Sequence, residues 1–259
     1  MQEGSVIMDF TNKVAISTGA ASGMGLLFAQ NFADLGGNVV MCDVNEEVLN
    51  EKVAEINAKN KGRAVGVICD VRFYDQVCNA RDVAVKEFGR IDIVTNFAGG
   101  YARRMLNVDS SLDFTEVPID VFDWGLDVNL KGPFYFAHAV LKVMREQKSG
   151  LIVNIGSISG EEGGGSGMEY STAKSGVMYG LTKSIAQYGS RYGIRGVCIS
   201  PGPVLTRANM ANMKTLLGRA ADPQEIIDLV LFVASEKGQF INGENILIDG
   251  GRNAMGRGN

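Results

Sequence analysis

One glycine-rich stretch organises this chain, Thr18-Gly19-Ala20-Ala21-Ser22-Gly23-Met24-Gly25. It follows a short apolar run at 14–17 and leads into a helical pattern that begins at Gly23. Such a turn lets backbone N–H groups approach a pyrophosphate at the positive end of a helix. The G-x-x-x-G-x-G spacing is a weak signal alone, so the strand–turn–helix context carries the prediction against a merely tight turn. We expect a dinucleotide to contact Gly19, Ser22, Gly23, Met24 and Gly25.

Asp43 bears on the choice between NAD and NADP. It ends the second apolar run, roughly 20 residues past the glycines, where an acidic side chain reaches the adenosine ribose hydroxyls and repels a 2′-phosphate. No Arg or Lys occurs within 19–25 or just after Asp43 to receive that phosphate. The sequence therefore predicts NAD as the cofactor, with a carboxylate that serves only a helix N-terminus as the alternative.

Short apolar runs alternate with helical patterns along the chain, which is typical of a parallel sheet built from βα units. Several runs are apolar on both alternating faces, as expected for strands covered by helices on each side. The predicted strands are 14–17, 38–42, 64–69, 91–95, 150–155, 196–200 and 244–248. The predicted helices are 23–35, 45–59, 73–88, 120–147 with a break at Gly132-Pro133, 169–192, and a last one from the Asp222 cap to about 235.

The fold class expected from this alternation is α/β, a single-domain Rossmann-like, doubly wound, parallel seven-stranded sheet with helices on both faces. We find no linker, so one domain should span 1–259, with flexible ends at 1–10 and 253–259.

Composition limits the function classes. The net charge of −4 argues against a nucleic-acid partner. His138 is the only histidine, so a histidine-based triad or a multi-histidine metal site cannot form, and we expect no metal. The four scattered cysteines include no CxxC pair, and no apolar run is long enough to span a membrane. We expect a soluble, cytoplasmic protein with no membrane partner.

A second group of residues predicts proton-transfer chemistry. Tyr170 and Lys174 are four residues apart on a predicted helix, so their side chains share a face, and a neighbouring ammonium favours a phenolate. Such a pair often marks only a solvated helix face. Ser157 closes the fifth strand at the edge of the sheet where ligands bind, and Asn129 lies mid-helix, where Asn is unfavourable unless its amide has a local role.

At these residues the sequence resembles the short-chain dehydrogenase/reductase family, from Lys13 to Gly251. The matching motifs are Thr18–Gly25, Asp70-Val71, Asn96-Phe97-Ala98-Gly99, Asn129, Ser157, Tyr170-x-x-x-Lys174 and Pro201-Gly202-Pro203-Val204-Leu205-Thr206. The resemblance implies that Tyr170 is the acid/base and that Ser157 positions the reacting oxygen. It also implies that Lys174 assists Tyr170 and binds the nicotinamide ribose, while Asn129 anchors a water in a proton relay.

The same resemblance implies further cofactor contacts. Asp70 and Val71 would contact the adenine, and Asn96, Ala98 and Gly99 the adenosine side. Pro201, Gly202, Val204 and Thr206 would complete the cofactor site, with Thr206 at the nicotinamide carboxamide or the pyrophosphate. Phe97 departs from the family, which usually has a second Asn there. The segment between Pro201 and Asp222 is also short, so a lid over 209–218 would be small or open and would suit a bulky substrate.

Two loops should flank the substrate, one at 100–104 and one at 160–165. The candidate substrate residues are Tyr101, Arg103, Ser159, Glu161 and Gly202. An arginine here would bind a substrate carboxylate, although paired surface charges are the commoner arrangement.

The function that this pattern favours is an NAD-dependent oxidoreductase that moves a hydride between a nicotinamide and a secondary alcohol or ketone. A steroid, a polyol, a hydroxyacyl thioester and a small hydroxy acid all remain open as substrates. The resemblance implies a homotetramer or homodimer. A catalytically idle NAD-binding sensor or scaffold is the alternative, and a sugar epimerase or dehydratase would need a larger C-terminal domain.

Overall fold

A computed structural model describes residues 8–255 of the protein. Its sheet has seven strands in the order β3-β2-β1-β4-β5-β6-β7, and every neighbouring pair is parallel. The strands are β1 (Val14–Thr18), β2 (Asn38–Asp43), β3 (Ala64–Ile68), β4 (Ile93–Asn96), β5 (Gly150–Ile155), β6 (Ile194–Pro201) and β7 (Asn245–Ile248). The predicted seven-stranded parallel sheet is confirmed.

Helices connect these strands. They are α1 (Gly23–Asp34), α2 (Glu46–Asn57), α3 (Tyr74–Phe88), α4 (Ala102–Met105), α5 (Ile119–Leu126), α6 (Gly132–Gln147), α7 (Ser159–Glu162), α8 (Met168–Ser175), α9 (Thr182–Gly189) and α10 (Pro223–Ala234). The short helices α4 and α7 were not predicted, because one turn is too short to show a helical period.

Two apolar layers cover the sheet, one on each face. On one face, alternate strand residues such as Ala15 and Val39 pack against α1, α2 and α10. On the other face, the residues between them, such as Ile16 and Val40, pack against α3, α6 and α9. Strands that are buried on both faces have few polar positions except at their ends. We therefore expect the polar residues of a functional site to lie where the strands end.

The two long predicted helices are continuous but contain π-helical turns at Asp127–Lys131 and Gly176–Leu181. The break predicted at Gly132-Pro133 is therefore wrong. Pro133 has no N–H to donate, and the chain accommodates this with a wider turn just before it instead of an interruption. At the end of the second π turn, the Val177 carbonyl accepts hydrogen bonds from the backbone N–H of Thr182 and from its hydroxyl, the latter at 2.7 Å.

The predicted flexible ends fall largely on residues 1–7 and 256–259, which lie outside the described residues. Within the described part, Phe10 is 2% exposed and its ring lies 4.7 Å from that of Phe32. Its N–H also donates to the Leu35 carbonyl at 2.9 Å. The expectation is thus corrected at Phe10, which is anchored in the core.

The strand order places a crevice at the carboxyl edge of the sheet. From β1 the chain passes to β2 and β3 on one side and then to β4 on the other side of β1. Loops that leave β1 and β4 in opposite directions separate there, and ligands of open α/β sheets bind at such a reversal.

The cap predicted at Asp222 is present in full and provides a test of local stability. Asp222 accepts a hydrogen bond from the Gln224 N–H at 2.8 Å, and Glu225 accepts one from the Asp222 N–H at 2.8 Å. Asp222→Ala should lower the free energy of unfolding by about 1 kcal/mol, measured by urea denaturation, because one N-terminal N–H of α10 loses its partner. Asp222→Asn should cost less, since asparagine also caps helices. Equal stability of the alanine variant and the parent would contradict this role.

Candidate active site

A cleft of about 930 Å³ follows the carboxyl edge of the sheet. At one end its walls include the glycine turn and Asp43, and in the middle Ser157, Tyr170 and Lys174. Residues of α4 and of the segment after β6 also line the cleft. One continuous cleft thus contains the glycine turn together with Ser157, Tyr170 and Lys174.

The glycine turn is shaped by close backbone packing. Gly19 and Gly23 have φ of +62° and +55°, values that side chains disfavour. A Cβ on Gly25 would lie 2.3 Å from the Gly19 carbonyl oxygen. The turn therefore exposes its backbone N–H groups at the start of α1, and its residues fit a bound pyrophosphate.

Asp43 lies beside this turn, at the end of β2. Its carboxylate accepts hydrogen bonds from the Ala21 N–H and the Asn45 N–H, both at 3.0 Å. These bonds orient the side chain at the cleft wall, and the carboxylate oxygens keep further lone pairs for a ligand.

Asp70 and Val71 line the same end of the cleft, as predicted positions for the adenine. Arg72, which the sequence reasoning missed, binds the Asp70 carboxylate through Nε at 3.0 Å. Burial disfavours the charged form of Asp70, but the hydrogen bonds and charge of Arg72 outweigh it and hold the pKa of Asp70 below its usual value. Asp70 thus stays ionised and is neutralised by its neighbour.

Lys174 is the central charged group of the middle section. It is only 5% exposed, and its Nζ donates to the Ile155 carbonyl at 2.7 Å. The same Nζ lies 5.6 Å from the centroid of the Tyr170 ring. Ser157 follows Ile155 by two residues, and its hydroxyl accepts from the Ser159 N–H at 3.2 Å. The structure therefore brings Ser157, Tyr170 and Lys174 to one wall of the cleft.

Asn129 is fully buried in the first π turn and acts on the loop after β4. Its Oδ1 accepts from the Gly100 N–H at 3.0 Å, and its Nδ2 donates to the carbonyls of Gly100 and Gly125, both at 2.9 Å. A Cβ on Gly99 would lie 2.6 Å from Asn129 Oδ1 and 3.6 Å from Lys174 Nζ. Asn129 thus fastens the loop next to the Lys174 ammonium.

Most other predicted residues also line the cleft. They are Ala98, Gly99, Tyr101, Ser159, Pro201, Gly202, Val204 and Thr206. The Tyr101 hydroxyl donates a hydrogen bond to the Ser166 carbonyl. The centroid of its ring lies 6.3 Å from that of Tyr170, and the two rings pack edge to face. Phe97, the departure from the family pattern, lines the cleft while its ring packs 5.9 Å from that of Phe28.

Four predicted residues do not line the cleft, namely Asn129, whose contacts are given above, and three that are corrected here. Arg103 is 1% exposed and donates to the Leu112 carbonyl at 2.8 Å, on the far side of α4. Glu161 accepts hydrogen bonds from Tyr179 and Asn245 instead of facing a ligand. Asn96 is buried, and its Nδ2 donates to Asn154 Oδ1 at 2.9 Å, so it joins β4 to β5.

Sequence reasoning chose Arg103 instead of Arg104 from the 100–104 loop, and it missed Arg207. Arg104 and Arg207 line the cleft, as do Met210 and Met213. Successive side chains on a helix point about 100° apart, so α4 buries Arg103 and turns Arg104 to the cleft. Recognising the short helix at 102–105 would have distinguished the two.

Comparison with known proteins identifies the family. A family model described as Enoyl-(Acyl carrier protein) reductase matches residues 19–253. The chain is 33% identical to a 7alpha-hydroxysteroid dehydrogenase of Bacteroides fragilis over 254 residues, which cover 93% of this chain and 95% of the relative. The chain belongs to the short-chain dehydrogenase/reductase family.

Other short-chain dehydrogenases/reductases agree with this identification. The chain is 36% identical to a trans-4-hydroxycyclohexanecarboxylate dehydrogenase of Sinomonas cyclohexanicum over 251 residues, 93% of each chain. A solved short-chain type dehydrogenase/reductase from Mycobacterium marinum superposes with a TM-score of 0.87 at 30% identity, covering 96% of this chain and 98% of the other. An NAD⁺-bound xylitol dehydrogenase superposes with a TM-score of 0.84 at 28% identity, covering 93% and 99%.

The family makes the chain an oxidoreductase that acts on alcohol or ketone groups with a nicotinamide cofactor. Among the helices within 8–255, none has the length and apolar character needed to cross a membrane.

The tight packing at Gly25 predicts a loss of nucleotide binding when a side chain is added. Gly25→Ala should raise the dissociation constant for NADH by at least about tenfold, or about 1.4 kcal/mol, because the new Cβ forces the turn away from the Gly19 carbonyl. Fluorescence titration measures this constant. Gly165→Ala is the control, since a Cβ there meets nothing within 4 Å. Unchanged NADH affinity in Gly25→Ala would show that the turn does not hold the nucleotide.

Proposed function

We propose that this chain is an NAD(H)-dependent alcohol dehydrogenase or ketone reductase in which Tyr170 is the general acid/base. The observation that carries the proposal is the placement of Ser157, Tyr170 and Lys174 on one wall of the cleft that begins at the glycine turn. When bound, a nicotinamide supplies the site that gives or takes a hydride. The chain's own residues must then orient the substrate and move a proton at its oxygen.

Each of the three side chains has a role that its surroundings support. The Tyr170 hydroxyl exchanges a proton with the substrate oxygen, and the Ser157 hydroxyl donates a hydrogen bond to that oxygen. Lys174 uses one of its three N–H donors in the hydrogen bond to the Ile155 carbonyl, and this bond holds the ammonium in position. Its other donors remain for the ribose hydroxyls of the cofactor and for Tyr170. Asn129 positions the loop beside Lys174 through Gly100.

Removing the phenol hydroxyl tests this proposal. Tyr170→Phe should lower kcat for a ketone or alcohol substrate by about 10²–10⁴-fold, the usual contribution of general acid–base catalysis. NADH binding by fluorescence titration should stay near the parent value. Tyr188→Phe is the control, because that exposed tyrosine packs on Tyr192 away from the cleft. Retained turnover in Tyr170→Phe would contradict the mechanism. A Tyr170→Phe variant that loses turnover but keeps the biological role of the protein would favour the idle sensor or scaffold.

Asp43 supports NAD over NADP. Its carboxylate lies on the cleft wall beside the glycine turn, where the two backbone N–H groups hold it. A 2′-phosphate in that position would meet a negative charge, whereas ribose hydroxyls would find acceptors. The NAD⁺-bound state of the xylitol dehydrogenase that this chain resembles is consistent with the same choice.

Neutralising this carboxylate should shift the cofactor preference. Asp43→Asn keeps an oxygen for one backbone hydrogen bond, and Asp43→Ala removes both. Each should raise the ratio of kcat/KM for NADP⁺ to that for NAD⁺ by roughly tenfold, or about 1.4 kcal/mol. Asp75→Asn, an exposed carboxylate in the first turn of α3, is the matched control. A ratio that does not move in either Asp43 variant would remove this carboxylate from cofactor selection.

The assembly and location of the protein stay predictions. A groove between the two long helices is lined by apolar side chains such as Leu126, Leu130 and Leu181, and Phe134 beside it is 52% exposed. Such a surface supports a homodimer or homotetramer. The free cysteines, of which Cys42, Cys69 and Cys198 are buried, support a reducing compartment such as the cytoplasm.

A further inference from the structure

We propose that Arg104 and Arg207 bind an anionic group of the substrate, so that this enzyme acts on a hydroxy or keto compound whose apolar body carries a carboxylate or a phosphate. This inference rests on the proposed function, because it names the substrate class of the same site.

The two arginines reach the cleft from different parts of the chain. Arg104 lies on α4, directly after the loop that Asn129 fastens, and Arg207 follows Thr206 after β6. Both line the same cleft as Tyr170. A Cβ on Gly100 would lie 3.1 Å from Nη2 of Arg104, so the guanidinium packs over the backbone of this loop.

The two guanidiniums also act on one another. Burial lowers the pKa of Arg104, and the positive charge of Arg207 lowers this pKa further. The electrostatic effect of Tyr170 raises it. Two cations and the catalytic phenol therefore share one region of the cleft. Two like charges in one cleft raise the free energy of the empty site, and an anion bound by both would relieve that repulsion.

Charge balance distinguishes this pair from Arg72, which also lines the cleft, and from Arg252. Arg72 is neutralised by Asp70, and Arg252 lies 2.9 Å from Glu162. Within residues 8–255, neither Arg104 nor Arg207 forms an ion pair. The carboxylates among the described lining residues are Asp43 and Asp70, both at the nucleotide end.

Apolar side chains accompany the two arginines. A Cβ on Gly100 would meet Met105 as well as Arg104, and Arg207 Nη2 lies 3.7 Å from Met210 Sδ. Tyr101 and Met213 also line the cleft. Methionine side chains are flexible and adapt to irregular apolar ligands. A guanidinium matches a carboxylate or a phosphate with two parallel hydrogen bonds. The site thus suits a ligand with a carbonyl or alcohol at Tyr170, an apolar body, and an anion at the arginines.

The cofactor pyrophosphate is the competing anion, because Arg207 directly follows Thr206. The glycine turn and the start of α1 already provide a site for that group. Kinetic constants for substrate and cofactor distinguish the two, since a pyrophosphate contact would change KM for NADH and leave the discrimination among substrates unaffected.

The test compares ketones that differ only in charge. NADH-dependent reduction is measured for 3-acetylbenzoate against 3-acetylbenzamide, for 5-oxohexanoate against 5-oxohexanamide, and for 3-acetylphenyl phosphate. The parent should prefer the anion in each pair. Arg104→Met and Arg207→Met should each lower kcat/KM for the preferred anion by about tenfold, as expected for one lost charge-assisted hydrogen bond that is partly exposed to solvent.

Two further variants and a cofactor measurement sharpen the comparison. In both methionine variants, KM for NADH and turnover of the neutral amides should stay near the parent values. Arg104→Lys, which keeps the charge, should retain part of the preference. Arg191→Met is the matched control, because this exposed arginine lies before β6 at the opposite edge of the sheet and also forms no ion pair within the described residues. It should leave all substrates unaffected.

Binding to the NADH-loaded Tyr170→Phe variant gives a readout that needs no turnover. Calorimetric titration should show 3-acetylbenzoate or 3-acetylphenyl phosphate binding more tightly than the amide, and the stronger of the two anions identifies the group. Equal binding of acid and amide, or a preference that survives both arginine substitutions, would overturn the inference. Tyr170-dependent turnover of neutral ketones without anion preference would overturn it while leaving the proposed function intact.

Discussion

The hydrogen bond from Lys174 Nζ to the Ile155 carbonyl, at 2.7 Å, is the contact on which the site depends. An ammonium buried to 5% exposure must find partners, and the carbonyl at the end of β5 is a fixed one. This bond ties α8 to the carboxyl edge of the sheet. It therefore sets where Tyr170, one helical turn away, meets Ser157, two residues beyond the strand.

A second layer of contacts positions the loops around that bond. Asn129 uses both ends of its amide on Gly100 and Gly125, and the closeness of Gly99 to Asn129 and Lys174 leaves no room for a side chain. The loop fastened in this way continues into α4, which presents Arg104 to the cleft. The buried hydrogen bonds of Asn129 thus connect the surroundings of Lys174 to Arg104, which would bind the anionic group of the substrate.

The sequence was sufficient for the strands, the glycine turn and the Tyr170–Lys174 pair. Those predictions rely on period and spacing, which strand burial and helix geometry impose directly. It was insufficient for Arg103 and Arg104, because a single helical turn leaves no detectable period and neighbouring residues cannot be assigned to a face. Asn96 was misjudged because its partner Asn154 becomes adjacent only when β4 pairs with β5. A proline inside a helical pattern predicts a disturbance of the helix but not its form. The sequence therefore could not distinguish a break at Pro133 from the π turn that precedes it.

A crystal structure of the complex with NADH and a non-reacting analogue of a keto acid would test the central claim most directly. Our account predicts the Tyr170 and Ser157 hydroxyls within roughly 2.6–3.2 Å of the analogue's carbonyl-equivalent oxygen, with Lys174 still bound to Ile155. An analogue oxygen that contacts neither hydroxyl, or a nicotinamide ring on the other side of the sheet from Tyr170, would contradict it.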